Sequence, residues 1–163
     1  MLLRWDKRVW NGAFNTVATL TRRRVGALLD DPEGLRLVCT LMREIIDAAR
    51  AENYQIAYER IDSYLEHSRK NLRELKTSTQ QDLELGKRLE YEALAGAVVR
   101  TARRHHFQVV PAMEAVYALL KLLDGAGPRS SGAQRRSDSV KLRKFRGPAL
   151  SLFDLPVAEQ IVP

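Results

Sequence analysis

Apolar residues recur along this chain at three- and four-residue spacing, the period of a helix with one buried face. The clearest stripe is Leu35, Val38, Leu41, Met42, Ile45, Ile46 and Ala49. Pro32 suits the first turn of that helix and Asp31 supplies its cap, and the pattern fades near Glu52-Asn53. Before it, the pattern predicts a helix from about Leu3 to Leu20 and a short helical turn from Val25 to Leu29. After it, a helix is expected from Gln55 to about Lys70, carrying Ile56, Ile61, Tyr64 and Leu65. Residues 71–80 are polar and read as a loop passing into a short helix. A long helix is predicted from about Leu85 to His106, with Leu89, Ala93, Gly96, Ala97 and Val99 inward. Arg100, Arg103 and Arg104 lie toward its C-terminal end, where cations complement the helix dipole. Pro111 opens a last helix with Met113, Val116, Tyr117, Leu120 and Leu123 on one face. No segment alternates through a whole strand and no repeat is visible, so the expected fold class is an all-α helical bundle.

Length and charge refine this picture. At 163 residues the chain fits one domain with a tail. The net charge of +7 first points to nucleic acid or a membrane surface, but its distribution argues otherwise. Residues 125–163 carry seven basic and three acidic side chains, whereas residues 1–124 hold 20 basic and 17 acidic ones. The expected organisation is therefore a folded domain over 1–124 and a basic, largely disordered tail over 125–163, whose apolar residues near 150–157 dock weakly at most. The charged part of the tail has one aromatic, Phe145, so no nucleic-acid partner is expected. Charges interrupt every apolar run well short of a membrane span, and no signal core opens the chain. A soluble, cytoplasmic protein is expected. Cys39, the single cysteine, lies in an apolar run and reads as a buried, inert thiol. His67, His105 and His106 lack companion ligands, so no metal site is expected.

The chemistry concentrates in two places. In the first predicted helix Lys7, Asn11 and Asn15 recur at i, i+4 and i+8, one above the next on one face. Lysine brings a positive charge and a proton, and each amide brings two donors and an acceptor, a row suited to gripping a small polar molecule. Trp5, Trp10 and Phe14 lie between them. Spacing alone favours a solvated stripe on an amphipathic helix, and more of the sequence is needed to overturn that reading. The second stretch is Thr77-Ser78-Thr79-Gln80-Gln81-Asp82, followed by Arg88-Leu89-Glu90 and Gly96. Read by themselves, Ser78 is a candidate helix cap, Asp82 a cap or ion-pair partner, Glu90 a solvated salt-bridge residue and Gly96 a place for close helix packing.

Together the two stretches resemble the C-terminal domain of the 2-dehydropantoate 2-reductase (ketopantoate reductase) family. That pattern is a lysine with asparagines four and eight residues later, then a Ser-Ser/Thr pair, an Asp, an Arg-x-Glu and a glycine. Here it reads Lys7, Asn11 and Asn15; Thr77-Ser78; Asp82; Arg88-Leu89-Glu90; and Gly96. Ala102-Arg103-Arg104-His105, Pro111 and Tyr117-Ala118-Leu119-Leu120 extend the likeness, which covers about residues 4–124. The resemblance implies a fold like the C-terminal domain of 6-phosphogluconate dehydrogenase and NADP(H)-dependent reduction of a small 2-oxo acid. It implies Lys7 as the general acid, partly desolvated, with Glu90 as the second catalytic residue holding the lysine or a substrate hydroxyl. Asn11, Asn15 and Ser78 would bind substrate, the serine through its carboxylate. Three positions depart from the family: Arg8 where leucine is common, Thr79 where methionine usually follows the serine pair, and Ala95 where asparagine often precedes the glycine.

The family also carries a Rossmann domain whose Gly-x-Gly-x-x-Gly/Ala turn binds the dinucleotide. Gly125-Ala126-Gly127 follows a helix and has Ser130 at the third position, so it is no substitute. The chain is thus expected to lack the nucleotide-binding half and to need a separate Rossmann domain. The alternative is a non-catalytic helical remnant kept for dimerisation or interaction. Bare apolar surface around Trp5 and Trp10, where that half would sit, makes a homodimer the expected assembly.

Overall fold

The computed structural model describes residues 2–106 and 109–126, and every element among them is helical. The expected tail lies, from residue 127 on, outside the described residues. In chain order the elements are α1 (Leu2–Thr21), α2 (Val25–Asp30), α3 (Pro32–Ala51), α4 (Arg60–Asn71), α5 (Ser78–Glu84), a π-turn (Glu92–Gly96) running into α6 (Ala97–Arg104), and α7 (Pro111–Ala126). No described helix is long and apolar enough to cross a membrane.

Two amphipathic helices of 20 residues, α1 and α3, form the central pair. Val9, Phe14, Leu41, Met42, Ile45 and Ile46 are closed to solvent. Gly12 lets the helix axes approach, because a Cβ there would stand 2.8 Å from Ile45 Cδ1. The Asp31 carboxylate accepts the Gly34 N–H at 2.6 Å and caps α3 as its sequence predicts. Glu44, buried on α3, accepts the Ala112 and Met113 N–H groups at 3.0 and 2.7 Å, so one helix caps the start of another. Burial pushes the Glu44 carboxyl above the usual glutamate range, against the opposing pull of those two N–H groups.

Three expectations need correction. The helix expected from Gln55 begins at Arg60, because α3 closes with Asn53 in the left-handed region at φ 63. Tyr54 N–H donates to Ala49 O and Asn53 N–H to Arg50 O, both at 2.9 Å, which completes a Schellman stop. Ile56 is buried from a non-helical stretch and only mimics helical spacing. The long helix expected over 85–106 is broken: Gly86 has φ 65, and the stretch before Tyr91 is not helical. Leu89 reaches the core from that stretch, with its N–H held by Asp124 Oδ1 at 2.9 Å. The π-turn then shifts the phase, so Ala95, Val98, Val99 and Ala102 are buried while Ala93 is exposed and Ala97 half-buried.

The third correction removes the bare tryptophans. Trp5 and Trp10 are only 8% and 5% exposed. Trp10 Nε1 donates to the buried Ser68 Oγ at 2.8 Å and its ring lies 4.9 Å from Phe14. Trp5 sits 6.3 Å from Tyr54, with the Arg8 guanidinium 4.7 Å over its ring. The helices of this chain cover both indoles, so they supply no apolar patch for a partner.

Candidate functional site

The polar row of α1 descends from the surface into the bundle. Lys7 is exposed, Asn11 half-buried and Asn15 buried. The exposed lysine corrects the expectation of partial desolvation, because the buried face at this end of α1 is taken by Trp5, Val9 and Trp10. The turn that carries Lys7 is firmly held. Tyr64 OH donates to Asp6 Oδ1 at 2.5 Å and to the Asp6 carbonyl at 3.1 Å, and Arg60 donates to Asp6 Oδ2 at 3.1 Å. Burial, then the bond to Asp6, pushes the Tyr64 hydroxyl well above its ordinary range, so it stays a donor.

Ser78 is the first residue of α5 and is exposed. The cap is Thr77, whose side chain accepts the Gln80 N–H at 3.4 Å, so the Ser78 hydroxyl is not used for capping. Thr77-x-x-Gln80 has capping-box spacing and is the signal that would have assigned the cap correctly. Glu90 is exposed just ahead of the π-turn, and its backbone carbonyl accepts from Ala93 and Leu94 N–H at 3.1 and 3.2 Å. Its carboxylate forms no ion pair among the described residues. The solvated ion-pair role falls instead to Glu92, which takes Arg100 and accepts Tyr117 OH at 2.8 Å. Asp82 pairs with Lys87 at 3.4 Å, a structural role.

Helix packing relates these positions. α1 packs against α5, which Ser78 opens, and against the π-turn, which Glu90 precedes. The helix that bears Lys7, Asn11 and Asn15 is therefore packed against the helix that Ser78 opens and the turn that Glu90 precedes. Gly96 serves close packing: a Cβ there would lie 3.0 Å from Tyr117 Cε2 on α7. Gln80, which sequence reasoning passed over, is buried on α5. Cys39 is half-buried rather than buried, and desolvation raises its thiol, which favours the unreactive form. Among the described residues no three His, Cys, Asp or Glu side chains are grouped to hold a metal ion. A cleft of about 520 Å³ opens elsewhere, beside Val17, Arg23, Leu28 and Leu37, and contains none of the five candidate residues.

Comparison with known proteins bears on the family and the fold. Residues 1–124 match the family model described as the C-terminal part of ketopantoate reductase PanE/ApbA. The 2-dehydropantoate 2-reductase of Halobacterium salinarum is 31% identical over 126 residues, covering 76% of this chain and 40% of that protein. The crystal structure of 2-dehydropantoate 2-reductase from Methylococcus capsulatus superposes with a TM-score of 0.70 at 33% identity, over 81% of this chain and 44% of that one. A dimeric ketopantoate reductase from Staphylococcus aureus gives a TM-score of 0.69 at 26% identity, over 74% and 42%. The chain thus spans about two fifths of the length of the curated relatives it matches. Sequence pattern, helical fold and these likenesses agree: the chain belongs to the ketopantoate reductase family, within its C-terminal domain.

Proposed function

We propose that this chain is the substrate-binding, proton-donating part of a 2-dehydropantoate 2-reductase-like oxidoreductase, which reduces ketopantoate to pantoate with NADPH on the route to pantothenate and coenzyme A. The observation that carries this reading is the packing of α1, with its descending row, against both α5 and the π-turn. Lys7 is the general acid. As the C2 carbonyl gains an electron pair, its ammonium stabilises the growing oxyanion and then delivers a proton to it. Asn11 and Asn15 orient the carbonyl and hydroxyl, Ser78 donates to the carboxylate, and Glu90 holds the ammonium or a substrate hydroxyl.

The described residues give NADP(H) no cradle, since none forms a strand entering a glycine-rich turn. The role proposed for the described residues is on the side of the ketone. Lys7, Ser78 and Glu90 are all exposed, and a nucleotide-binding domain closing over them would supply the wall that desolvates them.

Fusing this chain to the nucleotide-binding half of a relative tests the reading. The fusion should oxidise NADPH in a ketopantoate-dependent way, and Lys7→Ala should lower the rate by about 10²-fold or more. The chain by itself should show no such turnover. Undiminished activity in Lys7→Ala would remove the lysine from its role.

A second reading, a non-catalytic dimerisation module, draws support from Leu119 and Leu122 on α7, which are 52% and 71% exposed. It predicts a dimer that Leu122→Lys disrupts, and a fusion in which Lys7→Ala changes nothing.

A further inference from the structure

The cleft of about 520 Å³ is walled by α1, α2 and α3, and none of the five residues proposed for ketone chemistry lines it. Small-molecule sites commonly measure roughly 300–1,000 Å³. The floor of this cleft is apolar. Val17 and Leu28 are 3% and 4% exposed there, and Leu37 stands 37% open to water. An apolar ligand group laid on these side chains would remove that surface from solvent.

The rim carries both signs of charge on separate segments. Arg23 comes from the connection between α1 and α2, Asp31 from the corner between α2 and α3, and Glu33 from the first turn of α3. Their commitments differ. Arg23 makes no hydrogen bond or ion pair among the described residues, whereas the adjacent Arg24 pairs with Glu74. Asp31 Oδ1 accepts the Gly34 N–H and Glu33 Oε1 accepts from Arg36, while the second oxygen of each carboxylate accepts from no described residue. The rim therefore offers one open guanidinium, which suits a carboxylate, and two open carboxylate oxygens, which suit an ammonium. A ligand with only a negative charge would face Asp31 and Glu33, and one with only a positive charge would face Arg23. Each would meet like charge as well as unlike. A zwitterion matches both sides.

We propose that this cleft binds a free α-amino acid with an apolar side chain. Arg23 holds the carboxylate, Asp31 and Glu33 hold the ammonium, and Val17, Leu28 and Leu37 receive the side chain. The site is separate from the ketone chemistry proposed above and does not depend on it.

The test titrates L-leucine into the ¹⁵N-labelled 163-residue chain and follows its amide shifts. Shifts at Val17, Arg23, Leu28 and Leu37 should saturate with a dissociation constant of about 1 mM or below. Three probes each remove one recognised group: 4-methylpentanoate has no ammonium, 3-methylbutylamine no carboxylate and glycine no apolar side chain. Each should bind at least about tenfold more weakly than leucine, the loss expected for one such contact. Arg23→Gln should weaken leucine about tenfold and leave 3-methylbutylamine no weaker. Asp31→Asn keeps an oxygen for the Gly34 N–H, so the cap survives. It should weaken leucine but not 4-methylpentanoate. The absence of saturable shifts in the cleft overturns the proposal. So does any of the three probes binding as tightly as leucine, a result that would make the cleft a site for a simple acid, a simple amine or any amino acid. These wild-type comparisons decide even if a variant does not fold. In a folded Arg23→Gln, undiminished leucine binding also overturns it.

Discussion

The α1–α3 pair and the stretch from Leu72 to Gly96 are built on different physics. The pair rests on two long helices with continuous apolar stripes, drawn together at Gly12 and Ile45. The stretch has one helix of seven residues, a glycine at φ 65, a side-chain cap at Thr77 and a π-turn. Burial fixes the first and local hydrogen bonding shapes the second. The candidate residues divide between them, with Lys7, Asn11 and Asn15 on the long helix and Ser78 and Glu90 on the irregular stretch. The lesson is a division of labour: one region sets position, and the other places exposed polar groups that its own fold does not use.

Mutations should separate the two regions. The largest stability effect is expected in the pair, where Phe14→Ala empties a fully buried aromatic site. It should cost about 3–5 kcal/mol in urea unfolding; a loss under about 1 kcal/mol would mean α1 is not the keystone of the core. Glu44→Ala comes next, because it strands the Ala112 and Met113 N–H groups at the start of α7. About 2–3 kcal/mol should be lost. In the irregular stretch, Thr77→Ala should cost about 1 kcal/mol as a lost cap. Its neighbour should behave oppositely: Ser78→Ala should alter stability by less than about 0.5 kcal/mol yet weaken ketopantoate binding. A Ser78 variant that unfolds the protein without touching binding would erase the distinction.

The smallest effect is a pH dependence. Because burial raises the Glu44 carboxyl above the glutamate range, the folded state holds its proton more tightly than the unfolded chain. That contribution is complete below the unfolded value and fades as pH rises through the raised one. Wild-type stability should therefore fall relative to Glu44→Gln across that window, as the difference between their urea midpoints. A difference that stays flat, or runs the other way, would show that the two N–H groups outweigh burial.

The same contrast governs what could be read from the residues. α1, α3 and α7 were legible because a long helix repeats its buried face many times, and Asp31 and Pro32 mark one start without ambiguity. Ile56 and Leu89 misled, since a buried residue in a short non-helical stretch can fall on helical spacing by accident. The π-turn moved burial from Ala93 to Ala95, a phase change that no 3.6-residue template contains. Trp5 and Trp10 were mistaken for surface because their covers, Tyr54 and Ser68, lie far along the chain. Among the candidate residues the motif named the row and its companions. It could not tell that Lys7 is exposed while Asn15 is buried, because depth depends on how α1 lies in the bundle. Gln80 was hidden for the same reason: a glutamine in a polar run shows its burial only once α5 is packed.

Whether these residues make one site can be measured directly by mapping ketopantoate-induced amide shifts over the ¹⁵N-labelled 163-residue chain. The account predicts concerted shifts at Lys7, Asn11, Asn15, Ser78 and Glu90, saturating at one ligand concentration. Shifts confined to the cleft beside Arg23, Leu28 and Leu37, or to only one of the two regions, would contradict it.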